Sequence, residues 1–131
     1  MNFEKTISFK LPWPNSKLNP NQSKGMHWGV TAALRKNARA GAAAIARTAV
    51  GAPAPQFGQA IPLTITFQQP DRRARDRDNL LAALKPALDG VADALGINDA
   101  QFDPVIIRRA YGAKPGSVLI EIGIEGEIMT A

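Results

Sequence analysis

The stretch LTITFQQPDRRARDRDNLLAALKPALDGVADALG, residues 63–96, decides how the chain folds. Its first residues alternate Leu63, Ile65 and Phe67 with Thr64, Thr66 and Gln68, the period of a strand with one buried face. From Asn79 the pattern turns helical and closes on Gly96, a residue suited to a helix C-cap. Pro86 interrupts that run. A proline inside a helix removes one hydrogen bond and clashes with the preceding turn, so a kink or two abutting helical pieces is expected. Between strand and helix lies PDRRARDRDN, where Arg72, Arg73, Arg75 and Arg77 are mixed with Asp71, Asp76 and Asp78. Arginines at this density suit an anion. Carboxylates among them need a task of their own.

The flanking sequence supplies the rest of the fold. TISFKLPW (6–13) alternates Ile7, Phe9 and Leu11 with polar residues and reads as a first strand, and PWPNSKLNPNQSKG (12–25) reads as an irregular loop. From Trp28 to Val50 an alanine-rich run reads as a helix. Val30, Leu34, Ala38, Gly41 and Ile45 share one face of it, with Arg35, Lys36, Arg39 and Arg47 opposite. GAPAPQFGQAIP (51–62) is short enough to be a loop within a domain. PVIIRRAYG (104–112) and SVLIEIGIEG (117–126) are two more strands, joined around Lys114–Gly116. The order β-α-β-α-β-β predicts an α+β (mixed α/β) fold, a single domain over residues 1–131 with helices packed on a mixed sheet.

Charge is unevenly placed. Of the net +5, residues 1–75 hold eleven Lys/Arg against two Asp/Glu (+9), and residues 76–131 hold five against nine (−4). The basic half suits a polyanion, whereas the acidic half argues against a purely electrostatic coat. There are no cysteines, so a disulfide framework and a cysteine zinc site are excluded. With His27 the sole histidine, a metal site has to be built from carboxylates. MNFEKTISFKLPWPNS lacks the pattern of a signal peptide, and no window approaches the roughly 20 apolar residues of a membrane span. A soluble, cytoplasmic protein without membrane association is expected.

Three groups of residues carry candidate chemistry. Asp76 and Asp78 follow a strand directly, and in extended backbone positions i and i+2 project to one side. Paired carboxylates repel unless one is protonated or a cation such as Mg²⁺ lies between them. In the other reading Asp78 caps the helix and Asp76 is a solvated turn residue. Asp99 falls where the chain returns toward the sheet, either near that pair or in an ordinary turn. Lys85 can hold a phosphate or lie along the surface, and Asp89 and Asp93 read as solvated helix acids. Trp13 and Trp28 bracket the first loop and either stack on bases or pack the loop onto the core.

ISFKLPWPNS, PDRRARDRDNLLAALKPALDG and NDAQFD, taken in order, resemble the RusA-type Holliday junction resolvases. In that family a strand ends in a basic run that leads to D-x-D-N, then a helix with Lys and L-D, then D-D-x-Q. The resemblance implies a dimeric crossover junction endodeoxyribonuclease of phage or prophage origin. Such an enzyme needs Mg²⁺ (Mn²⁺ substituting) and no organic cofactor, and cuts four-way DNA symmetrically. Carried over, Asp76, Asp78 and Asp99 are its metal-binding catalytic aspartates and Lys85 its catalytic lysine. Arg72, Arg73, Arg75, Arg77, Arg35, Lys36 and Arg39 are the DNA-binding cations. Two departures stand out: Asn98 replaces the first aspartate of the D-D pair, and Ala82 occupies the usual lysine position. A DNA-binding module without cleavage, a member inactivated through Asn98, and a nuclease for forks or flaps are the other readings.

Overall fold

The alternation of apolar residues builds three strands that each bury one side, and a fourth strand at the sheet edge is mostly exposed. The computed structural model describes residues 5–52 and 54–124. Its elements are β1 (Lys5–Pro12), α1 (Pro20–Ser23), α2 (Trp28–Val50), β2 (Ile61–Gln69), α3 (Arg77–Leu95), β3 (Phe102–Tyr111) and β4 (Ser117–Ile124). Glu125 and Gly126, which the sequence adds to the last strand, lie outside the described residues. The strands form one sheet in the order β1-β4-β2-β3. β4 runs antiparallel to both β1 and β2, and β2 runs parallel to β3, so the fold is α+β with a mixed sheet.

The last two strands are consecutive in sequence but not neighbours in the sheet. β2 lies between them, and the loop joining them spans the end of β2. Gly112 N–H donates to the Gln69 carbonyl at 2.8 Å. Gly116 has φ +86°, and a Cβ there would lie 2.9 Å from Pro70 Cδ, so this loop requires glycine for both conformation and space.

Phe9 and Leu11, Ile61 to Phe67 at alternate positions, and Val118, Ile120 and Ile122 form the core side of the sheet. The helices meet it with Ala42, Ala46, Leu80, Leu84, Leu88, Val91 and Leu95. The buried seam of α2 differs from the expected face. It follows Thr31, Ala42, Ala43 and Ala46, while Val30 is 46% exposed and Gly41 is also exposed. The cause lies in α3: a Cβ on Gly90 would stand 2.0 Å from the Arg39 carbonyl oxygen. Backbones this close admit only the smallest side chains, so the seam follows alanine rather than bulk.

Two further expectations change. α3 runs as one helix through Pro86 from Arg77 to Leu95 rather than as two abutting pieces, and it stops, as expected, at Gly96 in the left-handed conformation (φ 68°, ψ 33°). Residues 12–25 are not irregular throughout. A 3₁₀ turn (Ser16–Leu18) and α1 are capped by Asn15 and Asn19, and Leu18 is buried as an anchor. Among the described residues no helix is long and apolar enough to cross a membrane.

Candidate functional site

The basic turn folds largely upon itself. Asp71 accepts the Arg73 N–H at 2.9 Å, as aspartates in turns do, and takes the Arg75 guanidinium at 2.9 and 3.3 Å. Arg75 also lies over the Trp13 ring at 5.4 Å, its own carbonyl accepts from Arg109 Nη1, and its side chain is only 16% exposed. The Arg75 hydrogen bond is the main cause holding the Asp71 carboxyl down at about 2 from an ordinary 3.8. Arg75 is therefore already engaged within the turn. Arg72 rests over Tyr111, 4.4 Å from the ring centre, while Arg73 and Arg77 are exposed.

The D-x-D pair is arranged differently from expectation. Asp76, not Asp78, caps α3: its Oδ1 accepts the Asp78 N–H at 2.8 Å. Asp78 sits inside the first helical turn, where a negative charge complements the helix dipole. The backbone is thus extended only at Asp76, and the two carboxylates do not project as neighbours on a strand.

Lys85 lies seven residues past Asp78 and therefore on the same helical side, with Asp89 four residues further. Its Nζ donates to Asp89 Oδ1 at 2.6 Å and also to Asp99 Oδ2. Asp89 first, then Asp99, raise the Lys85 pKa above its usual value. Lys85 in turn holds the Asp99 carboxyl below the normal range. Asp99 is delivered by a short 3₁₀ turn whose start is closed twice by Asn98. Its side chain accepts the Ala100 N–H at 2.9 Å, and its own N–H donates to Gln101 Oε1 at 2.9 Å. Asparagine caps as well as aspartate, so the Asn98 departure keeps this turn intact.

Asp99 therefore meets Lys85 and Asp89 rather than Asp76 and Asp78. From Asp78 to Lys85 is roughly 10 Å along the helix axis at the standard rise. Among the described residues no three Asp, Glu or His side chains converge as a metal site. The three aspartates assigned to Mg²⁺ do not fit one ion in this arrangement.

Across from Lys85, α2 contributes Arg35, Lys36 and Arg39 to a cleft of about 580 Å³ that Lys85 and Asp89 also line. Arg39 is engaged there by Asp93 at 2.6 and 2.9 Å, which lowers the Asp93 pKa; Lys36 and Arg35 are exposed. A second cleft of about 390 Å³ runs past Arg73 and Asp76 at the start of α3. The segment Leu18–Gln22 contributes to the walls of both. Sequence reasoning passed over Asp71 and set aside Asp89 and Asp93 as solvated. The i, i+4 spacings Asp71–Arg75 and Lys85–Asp89 were the available signals.

No family model matches the chain. An uncharacterized protein of Xylella fastidiosa is 43% identical over 97 residues, which make up 72% of this chain. The match spans 61% of that protein's length.

Proposed function

We propose that the protein is a structure-specific endodeoxyribonuclease that acts on four-way DNA junctions in the cytoplasm, as its resemblance to the RusA-type resolvases implies. The observation that carries this reading is one charged side of α3. Asp78, Lys85 and Asp89 follow one another along it, Asp99 joins Lys85, and the cations of α2 stand across the cleft. Arg35, Lys36, Arg73 and Arg77 attract flanking phosphates, with an affinity that falls steeply as salt rises. Lys85 exchanges a carboxylate partner for a phosphate oxygen and stabilises the charge that grows there during hydrolysis. A two-fold homodimer matches the symmetry of a junction and offers one site to each of two strands.

The resemblance also implies Mg²⁺, with Mn²⁺ as a substitute, at Asp76, Asp78 and Asp99. Among the described residues these three acids do not converge on one ion. The same separation favours a second reading, a junction-binding protein that does not cleave. Incubating purified protein with a synthetic four-way junction, a fork and a linear duplex in Mg²⁺ or Mn²⁺ separates the two. Paired nicks in the junction support the nuclease. Binding without nicking in either metal supports the second reading, and binding to no DNA removes both.

A further inference from the structure

The two tryptophans have opposite environments. Trp13 is half-buried, edge-on to Phe67 at 6.0 Å and covered by Arg75. Trp28 is 75% exposed at the first position of α2, so its indole forgoes the burial that a folding chain normally gains from so large an apolar group.

The surroundings of Trp28 are ordered. His27 caps α2, its Nδ1 accepting the Gly29 N–H at 3.1 Å, and its ring lies 6.2 Å from the indole with the planes 22° from parallel. Thr31 is buried, donates its hydroxyl to the Trp28 carbonyl at 3.0 Å and accepts Arg35 Nη1 at 3.4 Å. The Arg35 guanidinium is thereby tied to the turn that carries the indole. Trp28, Ala32, Arg35 and Arg39 are spaced i, i+4, i+7 and i+11, one side of the helix, with the small Ala32 between aromatic and cation. That side continues into the cleft shared with Lys85.

We infer that Trp28 is a stacking platform for an unpaired nucleobase, whose backbone phosphates follow Arg35 and Lys36 along α2. The ligand class is single-stranded DNA, or the unpaired bases at a branch. A flat apolar ring beside a line of cations recognises it without sequence preference, because every base has a π-face. The inference rests on the nucleic-acid part of the reading above and needs no cleavage.

The test compares two labelled eight-nucleotide strands of equal charge, oligo-dT and an abasic backbone. Fluorescence anisotropy at fixed low salt follows wild type, Trp28→Ala and Trp28→Phe, with far-ultraviolet circular dichroism confirming the fold of each. Wild type is expected to bind oligo-dT on the order of ten-fold tighter than the abasic strand. Trp28→Ala binds both at the abasic level, and Trp28→Phe keeps most of the difference. Equal binding of both strands by wild type overturns the inference, as does a Trp28→Ala protein that keeps the preference. So does a Trp28→Ala protein that loses only self-association in sedimentation, which would make Trp28 a protein contact. A protein that prefers oligo-dT through Trp28 yet never nicks a junction upholds this inference while removing the nuclease.

Discussion

The turn before α3 and the middle of the helix pair acids with cations in different ways. In the turn before the helix, Asp71 and Arg75 close on each other four residues apart, and Arg75 lies over the Trp13 ring. Further along, Lys85 is shared between Asp89 on its own helix and Asp99 from the turn beyond. The first arrangement is local, half-buried and fixed to the shape of the turn. The second is exposed, draws on two segments and can exchange partners. Charges that a fold has already satisfied internally make poor contacts, whereas an exposed lysine shared by two acids can move to a phosphate. That contrast moves the centre of interest from the arginine-rich turn to the middle of α3.

The largest effect expected from breaking this contrast is catalytic. Lys85→Ala should lower single-turnover nicking of a four-way junction by about a hundred-fold or more, with junction affinity little changed. Nicking within ten-fold of wild type would deny the middle cluster its role. Next in size is a packing effect on the cleft itself. Gly90→Ala places a methyl against the Arg39 carbonyl and forces α2 from α3. Urea unfolding should show a loss of about 1–3 kcal/mol, the usual cost of overpacking.

A smaller effect belongs to the local pair. The Asp71 carboxyl is depressed when folded, so its ion pair stabilises the protein above the unfolded value of 3.8 and loses that contribution as pH falls toward about 2. Asp71→Asn should melt below wild type at neutral pH, and the gap between them should close across that acid window. A gap that persists at the acid end would mean the pair is not the cause. The smallest effect is on binding. Lys36→Ala should weaken DNA affinity evenly across sequences and reduce the salt slope by about one, whereas Arg75→Ala should act mainly on stability.

The sheet was legible because period-two alternation in β1, β2 and β4 reports burial directly. β3 was found as a strand, but its place at the edge, paired with β2 rather than β4, depends on a loop crossing that no local pattern encodes. In α2 the buried seam was misplaced because hydrophobic size pointed to Val30, while the close approach at Gly90 selects alanine. The candidate site divides the same way. The residues of the charged side were visible, and so was the four-residue spacing of Lys85 and Asp89. Which acid meets Lys85 was not, because Asp99 lies 14 residues away and arrives by a capped turn. Asp76 as the cap was missed because either aspartate can serve, and only the point where the strand geometry ends decides between them.

The most direct test is nicking of a synthetic four-way junction by wild type and by Lys85→Ala, in Mg²⁺, with binding measured in parallel. The account predicts paired symmetric nicks by wild type, and nicking slower by about a hundred-fold or more by Lys85→Ala, which still binds. Wild-type protein that binds the junction and leaves every strand intact, in Mg²⁺ and in Mn²⁺, would contradict it.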